Sequence, residues 1–405
     1  MTNVCFYFQV HQPFRLRKYS LFDIGTSTDY FDEQRNRSIM QRVAQKCYLP
    51  ANKLLLELIS KYNGKFKASF SITGTALEQF EQYAPRVLDS FKALADTGCV
   101  EFLSETYHHS LASLYNKEEF IQQVELHYKA VRKHFGARPL VFRNTELCFN
   151  NQIAALAEKM GYKAILAEGA DHILGWRSPN FVYKPKGTSR IKLLLKNYRL
   201  SDDIAFRFSD RKWEGWPVNA QKFASWLAPI YGDTINLFID YETFGEHQWD
   251  DTGIFNFLKH LPAELFKKGI GFHVPSQIEA EPKDELDFHN TVSWADMERD
   301  TSAWTGNKMQ QSAIENLYAL RDAVLASKDE ALITSWRKLT TSDHFYYMCT
   351  KWFSDGDVHK YFNPYESPYD AFISFMNVLN DIIHKLRIEK QLKTQSVLQN
   401  QWIRV

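Results

Sequence analysis

The stretch LFIDYETFGEHQW, from Leu237 to Trp249, contains an apolar strand that ends abruptly in acidic residues. Residues 235–239 are bulky and mostly apolar, a pattern typical of a strand buried on both faces of a parallel sheet. Asp240 and Glu242 follow at once, and Gly245 permits a tight turn. In folds that alternate strands and helices, the carboxyl ends of the strands carry the active site. The alternative interpretation is a solvated acidic loop.

A second apolar run ends in the same way, which favours a shared site over an isolated loop. Leu140–Phe142 leads into Arg143 and then, three residues further on, into Glu146. A neighbouring arginine favours the ionised form of a carboxyl group, although a purely structural ion pair is the alternative for Arg143. The two strands predict that Glu146 and Asp240 lie at the same edge of one sheet.

Strand-like and helical patterns alternate along the first part of the chain. Apolar runs predict strands at residues 4–10, 66–72, 100–103, 140–142, 164–167 and 235–239. Amphipathic stretches predict helices at residues 38–62, 77–95, 117–135 and 153–160. This alternation predicts parallel βα units in a closed or nearly closed barrel of six or seven strands. Residues 170–235 are less regular, and we interpret them as one or two strands with a long loop over the barrel mouth.

The pattern changes beyond the barrel. Helical periodicity at residues 310–327, 330–340 and 370–398 predicts a C-terminal helical region. We therefore divide the chain into a catalytic barrel at residues 1–280 and a helical region at residues 281–405 that helps to close the active site.

The composition argues against several classes of protein. Lysine and arginine number 49 against 48 acidic residues, a net charge of +1 that indicates neither a nucleic-acid partner nor an anionic membrane surface. No apolar run is long enough to span a membrane, and the N-terminus enters a strand without the pattern of a signal peptide. The five cysteines are scattered, which predicts reduced thiols in a cytoplasmic protein. The oligomeric state is left open.

Five short blocks give the chain a resemblance to glycoside hydrolase family 57, and in particular to its α-amylase-type members. In the order of that family, the blocks are His11–Pro13, Gly98–Ser110, Val141–Leu147, Phe238–Trp249 and Asp300–Asn307. The order of five blocks over about three quarters of the chain is more specific than any one of them. The resemblance implies a (β/α)7 barrel followed by a helical bundle.

The resemblance also implies roles for individual residues. Two carboxyl groups on opposite faces of a sugar cleave a glycosidic bond, and by resemblance Glu146 is the nucleophile and Asp240 the general acid/base. The candidate substrate-binding residues are His11, Glu101, His109, Arg143, Glu242, Trp249, Asp300 and Trp304. A structural histidine is the alternative for His11, and a core position is the alternative for Trp304. The sequence does not show which of Glu105, His108 and His109 reach the pocket.

The resemblance implies a retaining hydrolase of α-1,4-glucans that needs neither a cofactor nor a metal. A retaining mechanism places the carboxyl groups of Glu146 and Asp240 roughly 5–6 Å apart. A 4-α-glucanotransferase or a glucan branching enzyme would use the same site, so both remain alternatives. A non-catalytic glucan-binding protein and a metal-dependent carbohydrate deacetylase are the alternatives from other classes.

Overall fold

The computed structural model describes residues 2–351 and 362–402, with residues 388–402 as backbone only. The strands are β1 (Asn3–Val10), β2 (Ala68–Ile72), β3 (Val100–Phe102), β4 (Val141–Arg143), β5 (Ala164–Glu168), β6 (Lys184–Pro185), β7 (Lys192–Lys196), β8 (Thr234–Asp240) and β9 (Glu285–Leu286). The helices of the first part are α1 (Glu33–Val43), α2 (Leu49–Lys61), α3 (Gly74–Tyr83), α4 (Pro85–Asp96), α5 (Ala112–Tyr115), α6 (Lys117–Phe135), α7 (Asn151–Lys159), α8 (Asp171–Leu174), α9 (Tyr198–Ala205), α10 (Ala220–Leu227) and α11 (Ile254–Lys267). The later helices are α12 (Ser302–Thr305), α13 (Lys308–Ala319), α14 (Arg321–Ser327), α15 (Glu330–Leu339), α16 (Ser342–Tyr346) and α17 (Pro368–Trp402).

Seven of the strands form a closed parallel barrel. One sheet has the order β3-β2-β1-β8, and another has the order β4-β5-β7. A parallel bridge between Ser104 and Phe142 joins β3 to β4. At the other seam, the backbone carbonyl of Asn236 accepts from the amide of Asn197, and its side chain donates to the carbonyl of Leu195. The expected (β/α)7 barrel is thereby confirmed.

The alternation of side chains along each strand separates the barrel interior from the helical layer. Tyr7 of β1 points inward, where its ring meets Phe238 of β8 edge-on at 5.5 Å. Phe6 points outward into the hydrophobic core beneath the helices. Since successive side chains of a strand face opposite sides, Gln9 continues the inward row, and it pairs with Asp240 across the sheet. The interior is therefore apolar below and becomes polar at the carboxyl end of the strands.

Most helices lie where the sequence predicts them. Pro85 begins α4 directly after α3, as expected for a residue that has no amide hydrogen to donate in the first turn. The side chain of Asn116 caps the start of α6, and Gly136 ends it with a left-handed φ of 63°.

Residues 170–235 contain the one or two strands that we expected, β6 and β7, but helices take up much of the predicted long loop. This region contains barrel strand β7 and the two helices α9 and α10, each of eight residues. Asparagine side chains cap both helices, with Asn197 accepting from the amide of Leu200 and Asn219 from that of Lys222. Helices of only about two turns contain too few periods for their pattern to stand out in the sequence.

The C-terminal helices pack against one side of the barrel. Phe142 and Leu193, on the outside of β4 and β7, share a hydrophobic core with Trp336 of α15 and Phe375 of α17. The boundary near residue 280 stays a prediction, because this core is continuous across it. Among the residues that the structure describes, no helix has the length and apolar character that a membrane crossing requires.

Candidate active site

A cavity at the carboxyl end of the barrel strands brings together five of the residues predicted from the sequence. Glu146 follows β4, Asp240 ends β8 and Glu242 lies two residues later. His11 follows β1, and His109 lies in the loop after β3. Residues from four different strands thus converge because parallel strands all end at the same rim of a barrel.

Three hydrogen bonds fix the carboxylate of Glu146. One of its oxygens accepts from His109 Nε2 and from Ser342 Oγ, each at 3.1 Å. The other accepts from the indole Nε1 of Trp294 at 2.8 Å. The backbone of Glu146 has a left-handed φ of 56°, a conformation that costs energy for a residue with a side chain. The surrounding contacts therefore hold this side chain in a single orientation toward the cavity.

Behind Glu146 lies a buried row of alternating charges. His109 Nδ1 lies 3.0 Å from Glu105, on the side of the ring opposite Glu146. Burial by itself would lower the pKa of His109, but the hydrogen bonds with the two carboxylates outweigh it and raise the pKa to about 9. Burial would likewise raise the pKa of Glu105, but the hydrogen bond and charge of His109 lower it to about 2. His109 is therefore a cation between two anions at neutral pH.

Arg143 supports this row from beneath and does not reach the cavity. Its side chain is fully buried, 3.8 Å from Glu105, and its guanidinium packs on the ring of Trp294 at 4.9 Å. Burial works to lower the pKa of Arg143, but Tyr7 and the carboxylates of Glu105 and Glu146 raise it. Arg143 was predicted to bind substrate, but its side chain has no exposed surface and is not part of the cavity lining.

His11 forms the opposite wall of the cavity. Its Nε2 lies 2.9 Å from Asp343 of α16, and its Nδ1 lies 3.0 Å from the hydroxyl of Thr73. Its ring stacks on that of His109 at 4.0 Å. Burial and then the charge of His109 lower the pKa of His11, so this imidazole is neutral at neutral pH. The two stacked histidines therefore carry different charges.

Glu242 is buried beside Asp240. The hydroxyl of Tyr48, in the π-helical turn Ala44–Tyr48, donates a hydrogen bond to its carboxyl group. Burial first, and then the charge of Asp240, raise the pKa of Glu242 to about 8. At neutral pH, Glu242 is thus a neutral acid that can donate as well as accept a hydrogen bond.

Replacement of Glu242 by Gln is expected to move the alkaline limit of activity downward. Two neighbouring carboxyl groups hold a proton to higher pH than one alone, because like charges disfavour the second ionisation, and the wild-type pair loses this proton near pH 8. A glutamine carries no charge, so Asp240 should lose its proton at a lower pH than in the wild type. The measurement is kcat/KM from pH 5 to 10, each profile normalised to its own maximum. Coincident alkaline limbs would show that Glu242 does not control this ionisation.

Glu101 does not reach the cavity, contrary to the prediction. It lies in the middle of the short strand β3, where its carboxylate accepts from the backbone amide of Ser276 at 2.9 Å. It pairs with Ser69, which lies low on β2. Glu105, four residues later and past the end of the strand, lies closer to the site, behind His109, and also accepts from Gln9 at 3.0 Å.

Asp300 and Trp304 are also placed outside the cavity. The exposed carboxylate of Asp300 accepts from the backbone amide of Ser302 at 2.8 Å and from the hydroxyl of the same residue. Trp304 is 0% exposed and packs near Tyr346 in the core of the helical region. The core interpretation of Trp304 was therefore the correct one, because an indole without exposed surface has no face to offer a sugar.

Trp249 and His108 also lie outside the cavity lining. Trp249 is 52% exposed and lines a separate groove beside Lys46. His108 is buried behind the site, where burial lowers its pKa well below the usual value. Of the three residues Glu105, His108 and His109, His109 alone is part of the cavity lining that the described residues form.

The sequence analysis missed Trp294, Ser342 and Asp343. Residues 340–344 are polar and yet almost completely buried, which is a recognisable signal inside an otherwise apolar helical region. Trp294 lies in a polar segment much like the one around Trp304. Neither signal shows which part of the barrel these residues contact.

A closed barrel of seven βα units, with a carboxyl pair converging on a polar cavity at its mouth, defines a glycoside hydrolase. The described residues contain no group of three His, Cys, Asp or Glu side chains arranged to hold a metal ion. The family model of glycosyl hydrolase family 57 matches residues 5–289, and the chain belongs to this family.

Known proteins resemble the chain in sequence and in fold. A protein of Methanocaldococcus jannaschii, named "Putative alpha-amylase", is 45% identical over 400 residues, which cover 95% of this chain and 85% of that protein. The solved branching enzyme of Thermococcus kodakaraensis superposes with a TM-score of 0.66 at 13% identity, over 95% of this chain and 90% of the other. The 4-alpha-glucanotransferase of Thermococcus litoralis gives a TM-score of 0.60 at 16% identity, over 85% of this chain. The chain spans about half of that protein, 54%.

Proposed function

We propose that this enzyme is a retaining hydrolase of α-1,4-glucans, of the α-amylase type. The observation that carries the proposal is the carboxylate of Glu146, held by three donors at the cavity that Asp240 also lines. The name of the relative from Methanocaldococcus jannaschii supports the choice of α-glucan as substrate.

Two steps would complete the reaction. In the first, Glu146 attacks the anomeric carbon while Asp240 gives its proton to the glycosidic oxygen, so that a glycosyl ester forms and the leaving chain departs as an alcohol. In the second, Asp240 takes a proton from water, the water oxygen attacks the anomeric carbon and the ester bond to Glu146 breaks. Both carboxyl groups return to their starting protonation states.

The surroundings of the pair suit a neutral, hydroxyl-rich substrate. Neutral His11 lines the cavity without adding charge, and protonated Glu242 can offer it a hydrogen-bonding group. The cation of His109 balances the charge of Glu146 before the ester forms. Once the ester has formed, the cation of His109 is balanced by Glu105 alone. This cation therefore favours the step in which the ester returns to a carboxylate.

Transfer of the glycosyl group to a sugar hydroxyl is the second candidate function. It uses the same glycosyl ester and differs only in the acceptor of the second step. The similarity to solved branching and glucanotransferase enzymes concerns the fold, at 13% and 16% identity, so the distinction belongs to experiment.

Incubation with maltoheptaose tests the proposal directly. We expect sugars shorter than the substrate, released first as the α-anomer and observed by proton NMR before mutarotation. A β-1,4-linked glucan oligosaccharide of equal length is the control and should stay intact. Products longer than maltoheptaose would establish transfer in place of hydrolysis, and an initial β-anomer would contradict retention.

We also propose that the enzyme works in the cytoplasm on glycogen, starch fragments or maltodextrins. All five cysteines are free thiols in the structure, and most are buried. Free thiols persist in a reducing compartment, which agrees with this location.

A further inference from the structure

A second concave surface lies on the outside of the barrel. It is a groove of about 800 Å³ between helices α2 and α11, and the loop after β8 supplies Gly245 and Trp249 to its lining. Among the described residues, the groove and the catalytic cavity have no lining residue in common. Trp249, with 52% of its surface exposed, is the largest aromatic side chain in this groove. The groove is therefore a separate surface with its own chemistry.

The walls of the groove carry balanced charge. Its charged side chains are Lys46, Lys53, Lys259, Glu57, Asp250 and Asp251, three of each sign. A balanced groove does not favour nucleic acid or another polyanion, for which clustered positive charge is needed. The apolar surface comes from Leu54, Phe255 and the indole of Trp249. A neutral ligand with apolar faces and many hydroxyl groups matches both properties, and a sugar chain is such a ligand.

The indole of Trp249 is held in place before any ligand arrives. The ammonium group of Lys46 lies 5.0 Å from the centre of its ring. Gly245 packs tightly on the backbone of Lys46. A Cβ at position 245 would lie 1.9 Å from the carbonyl oxygen of Lys46. Since both contacts tie the loop to the π-helical turn, little conformational freedom remains to be lost on binding.

We propose that this groove is a second binding site for neutral glucose chains, and that it holds the polymeric substrate while the catalytic cavity cleaves another part of it. The choice of a glucose chain rests on the proposed function. The loop from Asp240 to Trp249 links the two sites, so one long polymer can occupy both. Occupancy of the groove would then raise the effective concentration of glucan at the cavity.

Calorimetric titration with maltoheptaose tests the groove, with Glu146→Gln as the background so that the sugar is not consumed. We expect two maltoheptaose molecules per chain in this background. Adding Trp249→Ala should leave one, because the central aromatic contact is lost and affinity at the groove falls about tenfold or more. The matched control is Trp176→Ala, which removes a tryptophan that is 88% exposed and lies outside the groove. This control should still bind two maltoheptaose molecules per chain.

A second variant separates loss of the site from damage to the loop. Asn256→Trp keeps Trp249 but fills the groove from the exposed wall of α11, and it should also leave one bound molecule. The proposal would be overturned if Trp249→Ala and Asn256→Trp both still bound two maltoheptaose molecules per chain. It would also be overturned if Glu146→Gln alone bound only one. A wild-type enzyme that leaves maltoheptaose intact would instead overturn the proposed function, because that assay depends on the catalytic cavity.

Discussion

Glu146→Gln and Asp240→Asn are each expected to lower kcat on maltooligosaccharides by roughly 10³-fold or more, with the fold intact. Glu146→Gln removes the nucleophile, so no glycosyl ester forms. Asp240→Asn removes the proton that the departing sugar needs. The second loss should be smaller on an aryl glucoside, because a good leaving group departs without protonation. Steady-state kinetics on both substrates measure the difference.

Matched substitutions elsewhere separate these effects from a general response to lost charge. Glu281→Gln and Asp322→Asn change exposed carboxylates far along the chain from the pair and should retain wild-type turnover. Circular dichroism should show the same fold for all four variants. Near wild-type turnover of a glucan by either Glu146→Gln or Asp240→Asn would remove that residue from the catalytic pair.

His109→Asn is expected to cost about 3–5 kcal/mol of unfolding free energy, because breaking a buried ion pair leaves an uncompensated charge. His109 lies between Glu105 and Glu146 at 3.0 and 3.1 Å, and both carboxylates would lose their shared cation. Asparagine is the suitable replacement, since the φ of 52° at this position is one that asparagine tolerates better than most residues. Urea denaturation at pH 7 measures the loss.

The pH dependence and a double variant test this explanation. The folded pKa of His109 is raised to about 9 from an ordinary value of 6.5, so its contribution is complete below pH 6.5 and disappears as the pH rises through 9. The stability difference between wild type and His109→Asn should therefore shrink above pH 9. Adding Glu105→Gln should restore part of the stability, because one of the two unbalanced charges is gone. A pH-independent difference would indicate lost packing instead.

The barrel could be predicted from the sequence because its strands are apolar and its helices mostly periodic. The meeting of Glu146 and Asp240 at one cavity could be predicted as well, because each lies at the carboxyl end of a strand and these ends converge, whereas their catalytic roles rest on the resemblance. Asp300 and Trp304 were misplaced for a related reason. Their block in the sequence shows that they belong to the family pattern, but it does not show which way a side chain faces.

The groups that hold Glu146 could not be predicted, because they come from distant parts of the chain. Trp294 and Ser342 reach Glu146 from beyond the last barrel strand, and Asp343 reaches His11 in the same way. Such contacts depend on how the helical region docks on the barrel. Periodicity in the sequence describes each helix but contains no information on that docking.

The contribution of α16 has a consequence for the order in which a growing chain becomes an enzyme. A ribosome completes the barrel strands, with Glu146 and Asp240 in place, long before it adds Ser342 and Asp343. Until those two residues arrive, Glu146 lacks the hydrogen bond from Ser342 and His11 lacks the carboxylate of Asp343. We therefore expect a barrel that lacks α16 to be catalytically silent.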